Sequence, residues 1–136
     1  MNNSTIEFHD LKAYGTAIEN VDIYDYVGFT YMPFECPNSL VAIVSDFILS
    51  LDVVDVSIVY SINQDGAKFS VRSEKKLIDA GKLIHRALEG IGSGGGHATM
   101  AGGFVGKEEL DKLGRNFYFK IKELFMAAIK EQEKLN

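Results

Sequence analysis

Val54, Val56, Ile58, Tyr60 and Ile62 alternate with Asp55, Ser57, Val59 and Ser61. A period of two is the period of a strand, so this stretch commits the chain to a sheet. Asn63-Gln64-Asp65-Gly66 then supplies turn chemistry, and Phe69 and Val71 resume the alternation. The prediction is an antiparallel hairpin with Lys68, Ser70 and Arg72 on the face opposite Phe69 and Val71. Ahead of it, residues 16–31 hold two short runs rich in Tyr, Val, Ile and Phe that read as strands. Between these and the hairpin, Asn38 or Ser39 can cap a helix whose Leu40, Val44, Phe47, Ile48 and Leu51 recur at helical spacing.

Downstream of the hairpin, Leu77, Ala80, Ile84, Ala87 and Leu88 place a helix over 76–90, with Gly90 as a left-handed stop. Phe104 and Val105 end a short strand. Residues 107–135 carry a long amphipathic stripe through Leu110, Leu113, Phe117, Ile121, Leu124, Ala128 and Ile129. That length exceeds what a domain of this size covers, so Gly114 is expected to split it or its end to meet a second copy in a homodimer. Together the elements fit an α/β fold, a mixed sheet with helices packed on it and a long C-terminal helix.

A chain of 136 residues, 46% of them hydrophobic, is long enough for one domain with a core and too short for two, so residues 1–136 read as a single unit. The formal net charge of -5 argues against wholesale coating of nucleic acid. That charge is unevenly spread. Residues 1–65 hold one Lys or Arg against ten Asp and Glu, whereas residues 66–107 hold seven against three. The second half is locally positive, as an anion site needs, although lysines on solvated helix faces give the same count. The lone Cys36 cannot form an internal disulfide and has no neighbouring base or cation to make it a nucleophile. With no signal peptide visible and no apolar run long enough for a bilayer, the expectation is a cytoplasmic protein without membrane partners.

The positive segment contains Gly-Ser-Gly-Gly-Gly-His-Ala-Thr-Met-Ala-Gly-Gly, residues 92–103, in which six of twelve residues are glycine. Apolar, ordered elements flank it on both sides, and it lacks the length and polarity of a tether, so it reads as a designed loop and not a linker. The phosphate loop of the nucleoside triphosphatases requires Lys and Ser or Thr after its last glycine, where His97-Ala98 stand. The dinucleotide pattern also fails, because the sixth residue from Gly92 is His97. What remains open to such a run is a concave nest of backbone N–H groups for an anion, with His97 as a directed donor and Arg72 as a guanidinium clamp. A structural His97 bonded to a loop carbonyl and a plain surface Arg72 are the alternatives.

The run Gly94-Gly95-Gly96-His97-Ala98-Thr99-Met100-Ala101-Gly102 resembles the GGGHxxAAG signature of the DHH-associated C-terminal domain, first subfamily, of DHH-family phosphoesterases. Phe69-Ser70-Val71-Arg72-Ser73 resembles the strand that ends in Arg-Ser in the same domain, and the likeness covers roughly residues 53–106. Met100 replaces the first alanine, as in the Met-Ala-Gly variant among relatives of the oligoribonuclease and phosphoadenosine phosphatase enzymes, often described as exopolyphosphatase-related. The Asp-His-His triplet of the family's two-metal catalytic domain is absent. The histidines are His9, His85 and His97, and the pair His9-Asp10 is no substitute.

The resemblance implies a substrate-binding lobe that takes a nucleotide or short oligonucleotide through Arg72, Ser73, Gly94, Gly95, Gly96, His97, Ala101 and Gly102. It implies no catalysis by the isolated chain. An N-terminal DHH catalytic domain, carrying Mn2+ or Mg2+, would cut the substrate. The alternative is a non-catalytic RNA-binding or oligomerisation module like the related domain that ends alanyl-tRNA synthetases. A purely structural interaction domain is the third reading.

Overall fold

The computed structural model describes residues 7, 8 and 10–135. Its elements, in chain order, are α1 (Asp10–Glu19), β1 (Asp22–Tyr24), β2 (Val27–Met32), α2 (Asn38–Leu49), β3 (Val56–Asn63), β4 (Gly66–Ser73), α3 (Ala80–Ala87), β5 (Ser93–Gly96), β6 (Met100–Gly106), α4 (Lys107–Leu113) and α5 (Phe117–Lys134). The six strands form one sheet in the order β1-β2-β3-β4-β6-β5. It is mixed: β2 and β3 run parallel through the α2 crossover, and the other neighbours are antiparallel.

Helices cover both faces of the sheet. On one, Val27, Phe29, Ile58, Tyr60, Phe69 and Val71 pack with α3 and α5 into the larger core. On the other, Met32, Val54 and Val59 pack under α1 and α2. This accounts for the burial of Ser57, Val59 and Ser61 as well as their alternating neighbours: β3 is central and has no solvent face. Full burial of Phe29, Phe125 or Ile58 stabilises the fold by about 1.5–3 kcal/mol each.

The predicted hairpin is β3–β4, with Asn63 opposite Gly66 and Asn63 Oδ1 accepting from the Asp65 and Gly66 amides at 2.8 and 3.1 Å. The long C-terminal stripe breaks at Gly114, whose φ of 78° suits glycine, and α5 buries Ile121, Phe125, Ala128 and Ile129 in the chain's own core. Two expectations are corrected. Residues 16–19 belong to α1, not to a strand; only Ala13 and Ala17 of that helix are buried, too small a stripe to mark a period. The glycine-rich run is not a loop but a second hairpin, β5–β6, at the sheet edge. No helix among the described residues is long and apolar enough to cross a membrane.

Candidate functional site

Three strands and one helix enclose a cavity of about 450 Å3 on the α2 side of the sheet. Because α2 lies over β2, β3 and β4, β6 and β5 beyond it are left open. Lys68, Ser70 and Arg72 of β4 rise along the α2 flank of this trough. Gly102 and Gly95, paired in register across β6 and β5, make its floor. Met100 and Ala101 line it near the hairpin turn, and Asn38, Val41 and Ala42 of α2 form the wall.

Arg72 is held at its base, its side chain only 12% exposed. One terminal nitrogen donates to Asp46 of α2, whereas Nε is buried with no protein acceptor. A guanidinium carries five donors, so this ion pair leaves donors unused. Beside it, Ser45 Oγ donates to the Val41 carbonyl at 2.9 Å and lies 3.0 Å from Ser70 Oγ, which ties α2 to β4 below the trough.

The glycines divide by the direction in which a side chain would point. At Gly103 a Cβ would lie 2.7 Å from Ile84 Cδ1 and 2.8 Å from the Ser93 carbonyl; at Gly94 it would meet Ile84 at 2.9 Å. These positions lie under α3. Gly96 has a φ of 151° and would press a Cβ on Ala101 at 2.7 Å, so it too is required by the fold. On the cavity side the result is different. A Cβ at Gly95 would meet nothing within 4 Å, and one at Gly102 only the Phe69 carbonyl at an ordinary 3.4 Å. Folding does not explain those two absences.

The His97 N–H donates to the Met100 carbonyl at 2.8 Å. Bonded and non-bonded pairs alternate along an antiparallel ladder, so Gly95 and Gly102 form a bonded pair while Gly94 and Gly96 turn their peptide groups to the free edge. The nest expected from the sequence therefore does not form, because a strand sends successive amides to opposite sides. His85 of α3, which the sequence analysis left unused, places Nδ1 3.3 Å from the Gly94 carbonyl. The turn carbonyls of His97 and Ala98 accept from Gly81 and Ala80 at 3.0 and 2.8 Å and so occupy the first amides of α3.

Of the expected site residues, Arg72, Gly95, Gly96, Ala101 and Gly102 meet at the cavity. Gly94 packs beneath Ile84. Ser73 is buried, its hydroxyl donating to the Ile78 carbonyl at 2.7 Å and accepting from Lys75 N at 3.2 Å, so it holds the β4–α3 connection. His97 is exposed at the turn, outside the cavity lining. It nonetheless stands in one lateral row with Met100 and Arg72, since Arg72 pairs with Met100 across β4–β6. Lys68 and Asn38 were not among the expected site residues; the alternation had already put Lys68 on Arg72's face, and Asn38 was read only as a helix cap, because nothing local to the sequence told where α2 would lie.

Cys36 sits in the smaller core and donates to the Phe34 carbonyl at 3.6 Å. Burial, with Asp10 and Glu35 nearby, pushes its thiol up to about 11, which suits a structural residue. Among the described residues no group of three or more His, Cys, Asp or Glu is placed to hold a metal ion, and His9 lies outside them. The described residues do not fit a two-metal centre.

The site is thus an edge hairpin of glycines beside a strand carrying Lys68 and Arg72, with α3 packed on the hairpin's other face. A DHHA1 domain model matches residues 24–123, and the chain belongs to that family. Among solved structures, an exopolyphosphatase-related protein from Bacteroides fragilis is similar over 98% of this chain and 37% of its own, at 20% identity and a TM-score of 0.67. The RecJ protein of Thermus thermophilus, in complex with Mn2+, matches 90% of this chain and 16% of its own at 21% identity and a TM-score of 0.61. The C-Ala domain of Aquifex aeolicus alanyl-tRNA synthetase matches 79% of this chain and 96% of its own, at 20% identity and a TM-score of 0.58. The chain thus spans about a third of the first of these proteins and a sixth of the second. No curated protein sequence matches it.

Proposed function

We propose that this domain binds the phosphoryl end of a nucleotide or short oligonucleotide and presents it to a DHH-type catalytic domain carrying divalent Mn2+ or Mg2+. The observation that carries the reading is the bare floor at Gly95 and Gly102 beside a guanidinium with an unused, buried Nε. Glycine where a side chain would fit marks a surface kept clear for something outside the chain. A phosphoryl group settling there accepts from Arg72, partly displacing Asp46, with two oxygens available to the planar fork. His97, at the end of the same row, adds a donor from the turn. Exposed Met100 offers an apolar surface to the adjoining sugar or base. Gly94, Gly96, Ala101 and Ser73 serve by holding that floor and strand in place. Bond cleavage belongs to the catalytic domain.

Titration of a 5′-nucleotide into wild type, Arg72→Gln and His97→Ala tests the reading. Arg72→Gln is expected to weaken binding about tenfold or more, the scale of one charged hydrogen bond, and His97→Ala by less. Equal affinity in wild type and Arg72→Gln rules the site out.

A second reading follows from the C-Ala comparison, in which this fold accounts for nearly the whole of the matched chain. A non-catalytic RNA-binding or oligomerising module has the same architecture. Gel shifts with tRNA against short oligonucleotides separate the two, because a phosphoryl-end site gains nothing from a folded tRNA.

A further inference from the structure

Lys68 and Arg72 stand on the same face of β4, with Ser70 between them, at the two ends of one trough. Four residues of strand separate them by about 13 Å. An independent measure comes from their partners on α2. Lys68 Nζ donates to Asn38 Oδ1 at 2.9 Å, while Arg72 is joined to Asp46, and those two residues lie about 12 Å apart along the helix axis. The side-chain tips therefore keep the spacing of the backbone positions. The two cations differ in how they are neutralised. Arg72 is paired with a carboxylate; Lys68, among the described residues, has no carboxylate within ion-pair distance, and its one hydrogen bond is to a neutral, exchangeable amide. Lys68 also borders a second hollow, which it shares with Glu35 and Asp65, and there the surface turns acidic.

We infer that Lys68 is a second anion contact, and that the trough is built for a ligand bearing phosphoryl groups about 12–13 Å apart. That distance exceeds the separation of the phosphates on either side of one nucleoside. It corresponds to phosphates two nucleosides apart in an extended strand. The preferred ligand is accordingly an oligonucleotide of trinucleotide length, with its end at Arg72 and an internal phosphate at Lys68; the acidic hollow discourages the backbone from continuing along the same line. This inference rests on the phosphoryl reading of Arg72 and extends it to the far end of the same cavity.

The test measures dissociation constants of 5′-phosphorylated mono-, di- and trinucleotides for the full chain, its Lys68→Gln and Lys68→Arg variants and Arg72→Gln, at fixed salt, with circular dichroism to verify folding. Wild type is expected to bind the trinucleotide about tenfold more tightly than the mononucleotide, as one further charged contact implies. Lys68→Gln removes that gain and leaves mononucleotide affinity unchanged, and Lys68→Arg restores it. A length gain that survives Lys68→Gln overturns the inference, as does a loss that is equal for all three lengths. Mononucleotide binding that depends on Arg72 but shows no length gain overturns the second contact and leaves the first standing. If no ligand binds, or Arg72→Gln changes nothing, both fall together.

Discussion

The two faces of the β5–β6 hairpin use the same residue for opposite purposes. Toward α3, glycine is needed so that something inside the molecule can come close: Ile84 lies against Gly94 and Gly103, and Gly81 rests within 2.5 Å of the Gly96 carbonyl when given a Cβ. Toward α2, glycine keeps a surface open against which the protein places nothing, as at Gly95. A glycine count alone does not separate these roles. The distinction is steric, and substitution measures it.

The largest effect is expected at the helix that presses on the first face. Ile84→Ala removes a fully buried side chain that touches both glycines and should lower the unfolding free energy by about 2–5 kcal/mol. Chemical denaturation reads this directly; a loss below 1 kcal/mol, in the range of exposed sites, would mean that α3 does not clamp the hairpin. Gly103→Ala comes next, costing about 1–3 kcal/mol by overpacking, since the Ser93 carbonyl in its way is backbone.

Gly95→Ala inverts the pattern. Stability should move by no more than about 0.5 kcal/mol, as for an exposed position, while affinity for a 5′-nucleotide falls. Should Gly95→Ala instead unfold the protein and Gly103→Ala spare it, the division between the faces is wrong. Gly102→Ala is expected to behave likewise on stability, its nearest neighbour lying at an ordinary 3.4 Å. The smallest effect is electrostatic. Nucleotide affinity should decrease steadily as salt is raised, because the site acts through exposed donors and one partly buried guanidinium, whereas the apo protein's denaturation midpoint should hardly change.

Much of the fold could be read locally. The β3–β4 hairpin follows from alternation and its turn, α2 from the spacing of Leu40, Val44 and Ile48, and the break between α4 and α5 from Gly114. α1 escaped because Ala13 and Ala17 bury too little to leave a pattern. β5 escaped for a related reason: a strand of Ser-Gly-Gly-Gly has no side-chain alternation, and its conformation comes from pairing with β6. Such a segment reads as a loop until its partner strand is known. The site was half legible. Arg72 and the glycine run were evident from residue chemistry and from the resemblance to the DHH-associated domain. That Ser73 would turn inward to the Ile78 carbonyl was not, since the acceptor lies in a connection with no periodicity.

The sequence by itself determined which residues alternate, where the turns fall, and that Lys68, Ser70 and Arg72 share a face, because these follow from the two-residue repeat of a strand. Only the tertiary structure decided what that face meets. α2 covers β3 and β4 but stops short of β6 and β5, and this offset leaves a trough whose floor is glycine and whose ends are cationic. The physical reason is that a strand's own repeat orients its side chains, whereas the space in front of them is set by packing between elements far apart in the chain.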